Sequence, residues 1–192
     1  MTEFTIRPLE RTDREWVAHF LDDRWGTTQI VSRGKAVYGH LLPGFLAERG
    51  APEAEDTESD NTSEPEQPEE PQAETDGDEE ELPKYIGLIT INVDDKECEI
   101  TTLDSLDEES GIGSALVEAV EAWAKESGIK RLWLVTTNDN LAALKFWQKR
   151  GYELVTIHRN AIAEARRIKP QIPITGLEGI PIRDEIELEK RL

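Results

Sequence analysis

The stretch Ser110–Gly128, SGIGSALVEAVEAWAKESG, sets a Gly-X-Gly turn directly against an amphipathic segment and closes on a third glycine. Leu116, Val120 and Trp123 recur at helical spacing, with Glu118, Glu121 and Lys125 on the other side, and Ser127-Gly128 supplies the stop. At the start of such a helix the first backbone N–H groups have no partner inside it, and the macrodipole adds about half a positive charge. Gly111 and Gly113 bring no side chains to the turn, so a phosphate can approach the amides around residues 110–114. The same glycines would also serve a tight strand-to-helix turn with no ligand, and alone they do not separate the two readings. A dinucleotide fingerprint needs glycine where Leu116 stands, and a Walker loop needs Gly-Lys-Ser/Thr; neither is present.

Working outward, Glu97–Leu106, ECEITTLDSL, reads as a strand leading into the turn. Arg131–Val135, RLWLV, lacks polar alternation, as expected for a strand covered on both faces. Strand, helix and strand make a βαβ unit. Upstream, Leu41–Glu48 and Lys84–Val93 are rich in apolar and β-branched residues and read as strands. Phe4–Arg7 reads as a short strand, followed by a helix capped by Thr12 or Asp13 with Trp16, Val17, Phe20 and Leu21 on its apolar face. Short connections fit an antiparallel meander. Downstream come a helix from Asn140 to Arg150 closed by Gly151, a strand Tyr152–His158, a helical patch Ile162–Ile168, a Pro- and Gly-containing loop, and a last strand Arg183–Lys190. The expected fold is a mixed α/β sheet whose first half is antiparallel, with a central βαβ unit.

Charge locates the exception to this order. The chain of 192 residues carries a net −19, but residues 51–83 hold 15 Asp and Glu, no Lys or Arg, and five of the ten prolines; removing those acids from −19 leaves −4 on the rest. Such a stretch has little to bury and repels itself, so 51–83 is expected to be a disordered acidic insertion within a single domain, 1–192. A strand–strand hairpin tolerates it, because closure entropy grows by only ~0.6 kcal/mol per doubling of length. An acidic arm for a basic partner is the alternative use. The single cysteine, Cys98, excludes an internal disulfide and is expected to be a small buried side chain. The charged amino terminus is unlike a signal peptide, and no apolar run approaches the ~20 residues of a spanning helix, so a cytoplasmic protein without membrane partners is expected. Aromatic and basic residues do not interleave, which argues against nucleic acid. His19, His40 and His158 show no spacing that pairs them with a carboxylate or a serine.

About thirty residues beyond the glycine turn, NLAALKFWQKRGYEL places Asn140, Ala143, Phe146, Lys149, Gly151 and Tyr152 at offsets 0, 3, 6, 9, 11 and 12. The pair of segments, in this order and at this separation, resembles the GCN5-related N-acetyltransferase (GNAT) superfamily over the whole chain except the insertion. The resemblance implies acetyl-CoA as co-substrate. Its pyrophosphate would sit on Ser110, Gly111, Ile112, Gly113 and Ser114, and its pantetheine arm along Leu103, Ser105 and Leu106 where the two flanking strands splay. Asn140 would contact that arm or cap its helix, and Phe146 would pack near it. Two departures stand out. Glu108 and Glu109 occupy positions where a donor or cation is common, and Trp147 stands where many relatives have a tyrosine that protonates the leaving thiolate, which indole cannot do.

Acetyl transfer to an amine needs a base for its proton and donors for the developing oxyanion. Glu97 and Glu99 lie two apart, hence on one face of the strand entering the turn, and are the candidate bases; either one could instead be an exposed strand carboxylate. Backbone N–H groups near Leu103–Ser105 are the candidate oxyanion donors. In the region that walls the acceptor pocket in relatives, Trp25 is core or wall and Arg33 faces an acidic acceptor or water. Arg166, Arg167 and Lys169 either approach the adenosine phosphate or are ordinary helix-end cations. The expected function is acetyl transfer to a primary amine of a small molecule or peptide. The competing expectation is a weakly catalytic acyl-CoA-binding regulatory module with an acidic interaction arm. Homodimer formation is compatible with both.

Overall fold

A computed structural model of the chain describes residues 3–50, 84–107 and 110–192. Its elements run β1 (Phe4–Pro8), α1 (Arg14–Trp25), β2 (Gln29–Ser32), β3 (Lys35–Tyr38), β4 (Gly44–Arg49), β5 (Tyr85–Asp94) and β6 (Glu97–Ser105). After these come α2 (Ile112–Glu126), β7 (Arg131–Thr137), α3 (Leu141–Gln148), β8 (Glu153–His158), α4 (Ala161–Ile168) and β9 (Glu185–Arg191). Seven strands form one sheet in the order β1-β4-β5-β6-β7-β9-β8, and β2 with β3 forms a separate hairpin. The first four pair antiparallel, β6 and β7 pair parallel across the α2 crossover, and β9 pairs antiparallel with both β7 and β8. The mixed sheet with an antiparallel first half and a central βαβ unit is therefore the architecture observed.

Alternation along the strands divides the core into two layers. Leu46 and Leu88 pack on one face with Val17, Phe20 and Leu21 of α1. Ala47 and Ile89 face the other way, into the larger cluster with Ile112, Leu116, Val117 and Val120 of α2. The helix that opens the motif is thus pinned along its length by fully buried side chains, each contributing roughly 1.5–3 kcal/mol of burial. Cys98 lies in this core with no exposed surface, and burial pushes its thiol up to about 12, which leaves it unreactive near neutrality.

Several local expectations are corrected. Asp13 stands before α1, but its carboxylate does not cap the helix: it accepts two hydrogen bonds from Arg7, at 2.7 and 2.8 Å, and one from the Glu10 amide at 2.7 Å. The strand expected from Leu41 begins at Gly44, because Leu41 belongs to a 3-10 turn and Pro43 has no N–H for a ladder. The stretch around Arg33 contains a two-strand hairpin whose turn, Arg33-Gly34, has φ of 49° and 73°, both left-handed as a tight hairpin turn requires. His158 does pair with a carboxylate, Glu187 on the neighbouring strand β9, at 2.8 Å. Beside it, buried Arg131 donates to Glu97, Glu187 and Glu189, tying β6, β7 and β9 together.

The acidic stretch 51–83 lies outside the described residues, as do Glu108 and Glu109. Its two flanks are adjacent: β4 and β5 pair antiparallel up to Glu48 and Tyr85, and the Arg49 amide donates to the Lys84 carbonyl at 2.8 Å. Removing residues 52–82 is expected to leave the melting temperature unchanged or slightly higher, since shortening the connection recovers at most about 2 kcal/mol of closure entropy. Differential scanning calorimetry checks this, and a clear fall in melting temperature would show that the segment contributes packing.

Candidate active site

The site begins where the sheet comes apart. β6 and β7 pair at only three positions, Glu97 with Arg131, Cys98 with Leu132 and Glu99 with Trp133. Beyond these, Ile100–Ser105 and Leu134–Thr137 diverge, so the edge of β6 that faces β7 keeps unpaired backbone groups. One cause is visible in β6 itself. Thr102 faces Thr90 and Ile100 faces Ile91, leaving Thr101 as an extra residue that bends the strand. The Thr90 hydroxyl holds this bulge by bonding Thr101 and Thr102, both at 2.7 Å.

At the mouth of the opening, Gly111 adopts φ 87° and precedes α2 with no side-chain cap. The first hydrogen bond of the helix runs from the Ala115 amide to the Gly111 carbonyl, which leaves the N–H groups of Ile112, Gly113 and Ser114 without a partner inside the helix. These groups border a cavity of about 800 Å³. Of the residues expected to hold a cofactor, Leu103, Ser105, Gly111, Ile112, Gly113, Ser114, Asn140 and Phe146 all line it. Leu106 and Ser110 do not: Leu106 is exposed and its amide is spent on Ile86, and the Ser110 hydroxyl bonds the Asp107 carbonyl at 2.7 Å. Asn140 caps α3, its Oδ1 accepting from the Ala143 amide at 3.0 Å. Trp147 is nearly buried between Phe146 and Tyr152, edge-on to both.

Sequence reading missed Arg150. It follows α3 and reads as a helix-end cation, yet it lines the large cavity, lies flat on the Phe146 ring with its guanidinium carbon 3.4 Å from the centroid, and donates to the Ser114 hydroxyl. No carboxylate among the described residues forms an ion pair with it. A cation is therefore delivered to the first turn of α2 from 36 residues downstream. Arg166, Arg167 and Lys169 do not line this cavity. Arg166 bonds the carbonyls of Ile172, Pro173 and Ile182, and Arg167 pairs with Glu164.

A second cavity, about 330 Å³, opens on the other side of the splay between β6, β7, β2 and α4. Asn140 lines both cavities, so they meet at the head of α3. Here the two candidate bases part company. Glu97 is half exposed, lies at the paired end of the strands and is bonded by Arg131 at 2.8 Å; it lines neither cavity. Glu99 is 7% exposed and lines the smaller cavity. Burial raises its carboxyl above the ordinary range, with Ser32, Asn92 and the more distant Arg33 pulling the other way and Glu185 adding to the rise. The buried Ser32 hydroxyl faces Glu99 without completing a hydrogen bond.

Two further carboxylates at this site carry no sequence signal. Glu185, on β9, lines the smaller cavity with its carboxyl likewise raised by burial, and accepts from the Arg33 amide at 3.1 Å. Asp104 lines the larger one, raised by burial and bonded by the Trp25 indole at 2.9 Å. Trp25 is thus a partly exposed wall and not core. Arg33 points its side chain elsewhere, over Trp133 and 3.7 Å from Glu187. Lys169 lines the smaller cavity from beyond α4. Among the described residues no group of His, Cys, Asp and Glu is arranged to hold a metal ion, and no helix is long and apolar enough to cross a membrane.

Comparison with known proteins agrees with this geometry. The model of the acetyltransferase (GNAT) family matches residues 43–152, more than half of the chain. The chain is 50% identical over 107 residues to the uncharacterized protein YdhI of Bacillus subtilis (strain 168), covering 56% of this chain and 67% of that one. Among solved structures, an acetyltransferase of the GNAT family from Streptococcus pneumoniae aligns over 99% of this chain and 100% of its own with a TM-score of 0.60 and 19% identity. A GNAT family acetyltransferase from Elizabethkingia anophelis with acetyl-CoA bound aligns over 98% of each chain with a TM-score of 0.55 and 20% identity. At these identities the structural likeness is one of fold.

Proposed function

The chain belongs to the acetyltransferase (GNAT) family, and we propose that it moves an acetyl group from acetyl-CoA to a primary amine of a small molecule or peptide, acting as a single domain. The observation that carries this reading is the pair of cavities meeting at Asn140, one bordered by free helix amides and Arg150, the other by a buried carboxylate. The larger cavity fits a long phosphorylated thioester: the amides of Ile112, Gly113 and Ser114 with the Arg150 guanidinium suit a diphosphate, and the unpaired edge of β6 at Leu103–Ser105 suits an amide-bearing arm. The bound thioester supplies the acetyl group.

The residues of this chain then divide the remaining work. Glu99 takes the proton from an ammonium entering the smaller cavity, which its raised pKa favours near neutral pH. Backbone N–H groups of β6 in the splay stabilise the oxyanion without having to reorganise. The indole N–H of Trp147 is far too weak an acid to protonate a departing thiolate, so water in the larger cavity fills that role. Arg150 binds phosphate: Arg150→Gln is expected to weaken CoA binding by about tenfold or more, and pantetheine binding much less, as isothermal titration of both ligands reads. Equal losses for the two would place Arg150 outside the phosphate seat.

A thermal-shift titration with acetyl-CoA followed by a thiol-release assay over an amine panel tests the whole reading. Stabilisation of about 2.7 kcal/mol is expected at a hundredfold excess over Kd. Trp147 favours a second reading, a weakly catalytic acyl-CoA-binding regulatory module; stabilisation without thiol release on any amine would select it.

A further inference from the structure

The smaller cavity carries opposite charges at separate places. Glu99 comes from β6; Lys169 comes from the segment after α4 and is only 9% exposed. Its ammonium makes a single hydrogen bond, to the Trp25 carbonyl at 3.2 Å, and among the described residues it pairs with no carboxylate. An ammonium has three donors, so two find no partner among the described protein atoms. Burial without a counter-charge is also what lowers its pKa. A buried cation left in this condition costs stability until an anion joins it. The lining also has an apolar part, with Ile30, Val135, Ile162 and Ile182, beside the polar Thr101, Thr136 and Thr137.

Glu185 complicates the picture only slightly. It already accepts the Arg33 amide at 3.1 Å, whereas the side chains beside Glu99 are the neutral Ser32 and Asn92, with Arg33 acting on both carboxylates. Glu99 is therefore the carboxylate left for an incoming amine. The cavity, about 330 Å³, is of a size to hold a small molecule, and residues 171–173 form part of its lining.

Resting on the acetyltransferase reading, we propose that the acceptor is a free amino acid with an apolar side chain, its amine directed at Glu99, its carboxylate held by Lys169 and its side chain filling the apolar wall. The thiol-release assay tests this on the full chain with acetyl-CoA and matched sets: leucine, methionine and phenylalanine, their amides, and their decarboxylated amines, with spermidine as a polycation. At least one of the amino acids is expected to exceed its amide and its decarboxylated amine in kcat/KM by about tenfold to a hundredfold, the worth of a charge-assisted contact. Lys169→Met is expected to collapse that ratio to near unity, and Lys169→Arg to retain part of it. Equal or better turnover of the decarboxylated amines or of spermidine by the wild-type chain would overturn the amino-acid assignment while leaving acetyl transfer standing; that comparison needs no variant to fold. Absence of thiol release on every amine would overturn both.

Discussion

Glu99→Gln is expected to lower kcat/KM for amine acetylation near neutral pH by about a hundredfold to a thousandfold and to replace the wild-type ascending limb with the steady rise set by the free-amine fraction, with acetyl-CoA-dependent stabilisation retained. Glutamine keeps the shape and the polar neighbours, Ser32 and Asn92, but cannot accept the proton. A base works ionised, so with Glu99 in that role wild-type activity is expected to rise as pH passes upward through its pKa, which burial sets above the ordinary carboxylate range. Stability moves the opposite way. An acid whose folded pKa is raised binds more protons folded than unfolded, so its contribution falls as pH climbs from the unfolded value through the folded one. The glutamine variant lacks that loss and should melt at the same temperature or higher. Rate profiles from acid to neutral pH check the first statement, and a variant that keeps the wild-type ascending limb would remove Glu99 from the role of base.

Gly113→Val is expected to abolish stabilisation by acetyl-CoA while the free protein melts close to the wild type. A Cβ at this position would meet Phe146 at 3.5 Å, ordinary contact, and Gly113 does not need the left-handed backbone that Gly111 does. Valine is no worse than glycine inside a helix, so the fold has little to lose. Its two methyl groups, however, must project over the helix-start amides or into the cavity that Gly113 lines. The stabilisation lost is the full ligand term, about 2.7 kcal/mol at a hundredfold excess over Kd. A variant that titrates like the wild type would remove the phosphate assignment. Gly111 would be a poorer test, because any side chain there strains the backbone at φ 87°.

What was readable from the sequence followed periodicity and punctuation. α2 and α3 announce themselves by apolar spacing and closing glycines, and the meander by its β-branched runs. The β2–β3 hairpin did not, because each strand has four residues and its turn is Arg33-Gly34, with none of the usual Asn-Gly signal. Placement of β9 between β7 and β8 depends on long-range pairing that no local pattern records. The same limit applied to the site. Spacing put Glu97 and Glu99 on one face but could not show that Arg131 holds the first at the closed end of the splay while the second is left in a cavity. Arg150 and Lys169 each stand just past the end of a helix, and only tertiary packing sends one to each cavity.

The contact between Arg150 and Ser114 ties the residue behind α3 to the first turn of α2. α3 spans eight residues, too short to persist as a helix in isolation, and the chain anchors it chiefly by Phe146, Trp147 and their neighbours. An anion gripped by both the first turn of α2 and the guanidinium behind α3 would act as a rivet between the two helices.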